Sequence, residues 1–115
     1  MSELIIYFLI RDDLKMSKGK TAVQCCHAVE ELLHKCDQRL KKPYLRGSRK
    51  KVCLKVKDKL EFEWMTQSCQ DKGLPYHIVE DAGLTEVKEG EATVMGIGPV
   101  QSGLATALLG HLKLL

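Results

Sequence analysis

Two lysines flank a glycine immediately ahead of a helical repeat in this chain, in the segment Lys18-Gly19-Lys20-Thr21. The start of a helix already carries partial positive charge, so lysines there are electrostatically misplaced unless an anion accompanies them. Backbone amides, the flexible Gly19 and two ammonium groups together suit a phosphate or carboxylate, and a solvated loop is the alternative. Gly19-Lys20-Thr21 ends as a P-loop does. The full pattern needs a glycine where this chain has Leu14, and no acidic strand end suits magnesium, which argues against nucleotide hydrolysis. The second candidate is Asp81-Ala82-Gly83-Leu84-Thr85, a carboxylate followed by a glycine that permits a sharp turn. It reads either as an Asx-type turn or as a carboxylate presented to a ligand.

Counting from Lys20 at helical spacing puts Gln24, His27 and Glu31 on one face, away from most of the apolar stripe. His27, Glu30, Glu31 and His34 lack the order and the third convergent partner that a metal site needs, so no metal is expected. No G-x-S-x-G elbow marks a serine hydrolase. The cysteines at 25, 26, 36, 53 and 69 are odd in number and show no C-x-x-C spacing, which speaks against a disulfide framework and against zinc. Cys25 and Cys26 are expected to pack as small hydrophobes. A reducing, cytoplasmic setting fits this usage.

The elements that must carry these residues follow from periodicity. Leu4 to Ile10 is a continuous apolar run with β-branched and aromatic residues, the pattern of a central strand buried on both faces. From Thr21 to Leu40, apolar residues recur every three or four positions and predict one amphipathic helix, ended by Pro43 and Gly47. Val52, Leu54 and Val56 alternate as a second strand. Asp58 with Glu61 resembles a capping box opening a helix over Leu60, Trp64, Met65 and Cys69, closed by Gly73 and Pro75. Tyr76 to Glu80 and Ala92 to Ile97 read as third and fourth strands, and Gly98-Pro99 as the start of a last helix through Val100, Leu104, Ala107 and Leu108, stopped at Gly110. The expected fold is a three-layer α/β domain with a four-stranded mixed sheet, spanning residues 1–115. Helix-linked strands run parallel, whereas the third and fourth run antiparallel. Lys20, Asp81, Thr85 and Thr93 should then converge at the carboxyl edge of the sheet, where ligand sites of open α/β sheets collect.

The composition, 44% hydrophobic and 29% charged, argues against wholesale disorder, and the longest apolar run is too short to cross a bilayer. A net charge of +3 conceals segregation. Lys35 to Lys51 holds eight Lys/Arg against Asp37 alone, and Asp58 to Glu91 holds nine Asp/Glu against three lysines. The basic stretch, with Tyr44 and Gly47 interleaved, suits a phosphate-rich partner as well as it suits a solvated surface.

The segments DLKMSKGKTAVQCCHA (Asp13 to Ala28), KVCLKV (Lys51 to Val56), GLPYHIVEDAGLTEV (Gly73 to Val87), TVMGIGP (Thr93 to Pro99) and GHLKLL (Gly110 to Leu115) together resemble the archaeal and eukaryotic class of peptidyl-tRNA hydrolase. The resemblance implies a small α/β domain, often dimeric. It implies hydrolysis of the ester between a peptide and the 3′ ribose of tRNA, without metal or organic cofactor. The family's functional positions fall on Lys20, Asp81, Thr85 and Thr93, with Gln24 and His27 as supporting members. Lys20 would hold a phosphate or stabilise the oxyanion, Asp81 would orient or deprotonate water, and the threonines would position it.

Lys18, Arg46, Arg49 and Lys50 are the expected tRNA contacts, reading backbone rather than sequence. Neither DNA nor a membrane is an expected partner. This chain departs from the family in having Leu84 where arginine is common, Glu86 for glutamine, Cys26 for serine or alanine and Glu89 for proline. Losing a cation and adding an anion beside the site predicts weaker, salt-dependent tRNA affinity. A non-catalytic RNA- or protein-binding module on the same fold is the alternative.

Overall fold

The computed structural model describes residues 3–83 and 89–115. Its first strand, β1 (Leu4–Arg11), has the apolar run expected of a central position, and every residue from Ile5 to Arg11 is buried. Alternation divides the strand between two cores. Ile5, Tyr7 and Leu9 face one cluster, and Ile6, Phe8 and Ile10 face the other.

A short 3-10 turn (Asp12–Leu14) leads to α1 (Lys18–Lys35), followed by α2 (Gln38–Arg46), β2 (Lys50–Val56), α3 (Lys59–Lys72), β3 (Tyr76–Glu80), β4 (Ala92–Gln101), α4 (Ser102–Leu109) and β5 (Lys113–Leu114). The sheet order is β3-β4-β1-β2-β5. β1 and β2 pair in parallel; β4 runs antiparallel to both of its neighbours, so β1 and β3 point the same way. Helices α3 and α4 bring Phe62, Met65, Cys69, Ala105, Leu108 and Leu109 to one face, and α1 and α2 bring Ala28, Leu32 and Tyr44 to the other. The three-layer α/β expectation holds, with five strands rather than four. The fifth is the two-residue β5, pairing Leu54 and Lys55 of β2, too short to leave an alternating pattern.

Two expectations are corrected. The single helix over Thr21 to Leu40 is two, because Asp37 caps a new start by accepting from Arg39 N at 2.8 Å, and Pro43 lies inside α2 rather than beyond it. Gly98-Pro99 begins no helix and lies within β4. The β1–β4 register shifts between Ile5 and Tyr7, and such an irregularity accommodates a residue without an N–H donor. The helix over Leu60, Trp64, Met65 and Cys69 forms as α3; it buries Met65 and Cys69 with Phe62, while Trp64 is 61% exposed. Asp58 does cap α3, accepting from Glu61 N at 2.9 Å, while the Glu61 carboxylate accepts from Lys57 N at 2.8 Å.

Helix α1 sits directly on β4 at Gly96. A Cβ there would lie 2.8 Å from Leu32 Cδ1 and 3.0 Å from Ala28 Cβ, so the missing side chain sets how closely the helix approaches. That approach fixes where the first turn of α1, with Lys20, meets the sheet edge.

Candidate functional site

Lys20 follows β1, Asp81 follows β3, and Thr93 opens the antiparallel β4, so all three stand at one edge of the sheet. Ser17 caps α1, its hydroxyl accepting from Lys20 N at 3.1 Å. That backbone amide is therefore engaged within the cap, which narrows the anion site expected at this helix start. The Lys20 ammonium reaches across to Asp81 Oδ1 as an ion pair. The lysine side chain is 11% exposed and the aspartate 0%.

Asp81 forms the Asx-type turn of its segment and pairs with Lys20. Its Oδ2 accepts from Gly83 N at 2.7 Å, an Asx-type turn, while Oδ1 meets Lys20. Gly83 has φ 79°, and a Cβ on it would come within 2.5 Å of Glu89 Cβ, so only glycine closes this turn. The backbone of Asp81 is held as well: its N–H donates to Glu91 O at 2.9 Å and its carbonyl accepts from Gly90 N at 2.8 Å.

Thr93 is fully buried at a register shift, where Val79 pairs Val94 and Glu80 pairs Ala92. Its hydroxyl donates to Val79 O at 3.2 Å, two residues before Asp81. With that proton committed, Thr93 Oγ1 has its lone pairs for a further donor. Bulged positions at sheet rims commonly re-aim a side chain in this way.

The helix-face expectation divides. Successive i+4 steps drift around a helix, which carries Gln24 into the buried stripe with Ala28 and Leu32, while His27 and Glu31 stay on the exposed side. Gln24 Oε1 is buried with no hydrogen-bond partner among the described residues. An unpaired buried carbonyl costs stability. Cys25 half-buries against the α1-side core as expected, but Cys26 is exposed. Thr85, Leu84 and Glu86 lie outside the described residues.

The basic residues separate into two places. Lys18 is exposed beside Lys20. Arg46, Arg49 and Lys50 are exposed at the opposite edge, since Lys50 pairs Ile5 near the beginning of β1. At roughly 3.3 Å per strand residue, that edge is about 20 Å from the Lys20 end. There Lys50 Nζ stands 3.5 Å from Glu3, and Arg49, with φ 56°, donates Nε–H to Leu45 O at 2.8 Å. A cavity of about 460 Å³ opens between Leu4, Leu40, Tyr44, Arg39 and Arg49. It lies away from the Lys20–Asp81 pair.

Arg11 has no counterpart in the sequence reading. It is 4% exposed at the carboxyl end of β1 and bonds Glu91, eighty residues away. A lone arginine after an apolar run looks like a strand terminator, and nothing local reveals so distant a partner.

A family model described as peptidyl-tRNA hydrolase PTH2 matches residues 4–115 of this chain. The chain belongs to the PTH2 peptidyl-tRNA hydrolase family. Among its relatives is the peptidyl-tRNA hydrolase of Methanopyrus kandleri, 40% identical over 109 residues, covering 93% of this chain and 94% of the relative. That of Methanococcus maripaludis strain C7 is 38% identical over 110 residues, covering 93% and 95%. The mitochondrial peptidyl-tRNA hydrolase 2 of Bos taurus is 35% identical over 115 residues, covering 97% of this chain and 64% of the bovine one. The family match runs over residues 4–115 and so includes Lys20, Asp81 and Thr93.

Proposed function

We propose that this PTH2-family chain hydrolyses the ester joining a peptide to the 3′ ribose of tRNA, returning free tRNA from aborted translation. The observation that carries the reading is the buried Lys20–Asp81 pair at the carboxyl edge of a sheet whose family acts on that ester. In the free protein the ammonium and carboxylate neutralise each other. An incoming 3′ end offers a phosphate whose charge competes with Asp81 for Lys20, and an ester carbonyl that the ammonium can polarise. Lys20 turning toward the substrate leaves Asp81 to accept a proton from water.

Water then attacks the carbonyl carbon, and the tetrahedral oxyanion forms beside the ammonium. Collapse breaks the bond to the ribose 3′ oxygen, which takes the proton held by Asp81, giving tRNA with a free 3′ hydroxyl and a peptide carboxylic acid that loses its remaining proton to solvent. Thr93 Oγ1, its own proton held by Val79, accepts from the water and orients it. Gln24 Oε1 supplies a second acceptor, and Thr85 completes the set as the family positions imply. His27, on the exposed side, supports binding rather than the reaction. No metal or organic cofactor enters this scheme.

Lys18 steers the 3′ end, while Arg46, Arg49 and Lys50 hold tRNA phosphates farther along the molecule, since only an extended substrate touches both edges of the sheet. A homodimer in the cytoplasm completes the proposal.

Purified protein given N-acetylaminoacyl-tRNA and free aminoacyl-tRNA tests this. Release of the blocked amino acid is expected, with the free aminoacyl-tRNA spared. Asp81→Asn should lower kcat by about 10²-fold while tRNA affinity stays similar. Binding without turnover would establish the non-catalytic module instead.

A further inference from the structure

Burying a guanidinium costs several kcal/mol unless its donors are met, so a buried arginine next to a site calls for a reason. Arg11 directs four contacts to three places. Nε and Nη2 donate to Asp13 Oδ1 and Oδ2 at 3.0 and 2.6 Å, a two-pronged grip that also holds the Asp13 carboxyl below the usual carboxylate range. Nη1 donates to Glu91 Oε1 at 2.7 Å and to Ala92 O at 3.1 Å.

Each of these partners adjoins a segment bearing a site residue. Asp13 lies in the turn that leads from β1 to the Ser17 cap and Lys20. Glu91 accepts the Asp81 N–H through its carbonyl while its side chain is held by Arg11. Ala92 immediately precedes Thr93. One guanidinium therefore ties together the turn leading to Lys20, the residue that holds the Asp81 backbone and the start of the strand that carries Thr93.

We propose that Arg11 is a positioning residue for the hydrolytic site, setting the placement of Asp81 opposite Lys20 through Glu91 and Asp13 without touching the substrate. The inference rests on the hydrolase reading above. Lysine cannot replace it, because a single ammonium lacks the planar fork that spans two carboxylates and a carbonyl at once. The acceptors it holds together would repel one another if it were gone.

The test compares wild type, Arg11→Lys, Arg11→Met and Glu91→Gln in the full chain. Single-turnover hydrolysis of N-acetylaminoacyl-tRNA, affinity for uncharged tRNA and amide hydrogen exchange are measured for each. Arg11→Lys should lower kcat by about tenfold or more, as expected when reacting groups move by a fraction of an ångström, with tRNA affinity kept within about twofold. Exchange at the Asp81 and Gly90 amides should quicken by about tenfold while Ile6 and Leu9 in β1 stay protected. In an Asp81→Asn background, Arg11→Lys should cost less than about twofold further, because the two act through one group.

Unchanged turnover and exchange in Arg11→Lys would overturn the proposal. So would an equal loss in both backgrounds, or exchange that quickens throughout the core. Should Arg11→Met fail to fold, Arg11→Lys and Glu91→Gln decide alone. Absent turnover in wild type would refute the hydrolase reading, and the exchange comparison would still decide whether Arg11 holds Asp81.

Discussion

Lys20 and Asp81, sixty-one residues apart, form an ion pair whose carboxylate is wholly withdrawn from solvent. Removing one partner of such a pair is worse than removing both, because the survivor's charge stays buried. Lys20→Met should therefore destabilise by on the order of 3 kcal/mol, the lower end of the range for buried pairs because Lys20 retains some solvent contact. The double variant Lys20→Met/Asp81→Asn should recover at least half of that loss. Thermal unfolding of the three variants at neutral pH checks it; a double variant less stable than Lys20→Met would show that Asp81 remains compensated without its lysine.

Gln24 gives a prediction of opposite sign for stability and activity. Its Oε1 is buried without a partner among the described residues, so replacing it with an apolar side chain of similar size relieves an unmet acceptor. Gln24→Leu should unfold at the same temperature as wild type or higher, and kcat should fall by about tenfold as the acceptor for substrate or water is lost. A variant that is destabilised and fully active would assign Gln24 to packing alone.

Much of this arrangement was legible in the sequence, and the rest was hidden for identifiable reasons. The apolar run of β1, the capped span of α3 and the limits of β3 at Tyr76 and Glu80 rest on local signals, and the structure reproduces them. The shared sheet edge of Lys20, Asp81 and Thr93 follows from strand direction alone, while Thr85 lies outside the described residues. The break at Asp37 was masked because apolar spacing continues through Cys36 and Leu40 on either side of it. Periodicity marks the stripe of α3 without saying where its margin falls, which is why it does not tell exposed Trp64 from buried Met65. Arg11 and the committed hydroxyl of Thr93 depend on partners brought near only by the complete sheet.

The thiols separate by environment. Burial, reinforced by the neighbouring Cys53, pushes the Cys25 thiol up to about 12, and burial alone pushes Cys69 up to about 11. Both groups are therefore protonated and unreactive at pH 8, whereas Cys26 is exposed. Brief iodoacetamide treatment at pH 8 should label Cys26 well before Cys25 or Cys69, as read by peptide mass spectrometry. Raising the pH to 9 should leave that order unchanged, since both buried thiols still lie below their midpoints. Labelling of Cys69 at the rate of Cys26 would mean that the α3 core opens readily.

The basic edge offers the means to separate binding from chemistry. Arg49 and Lys50 stand about 20 Å from the Lys20–Asp81 pair by strand length, too far to influence bond cleavage directly. Lys50 is already near Glu3, so part of its charge is answered within the protein, and Arg49 is the stronger contributor to any phosphate contact. Arg49→Ala/Lys50→Ala should raise KM and flatten its salt dependence by roughly one charge-equivalent for each residue that touches phosphate. Saturating turnover should remain that of wild type. Measured across a salt series, a KM that does not move would return this edge to ordinary solvated surface. A loss of kcat at saturation would instead mean that the edge communicates with the pair, which no contact along β1 predicts.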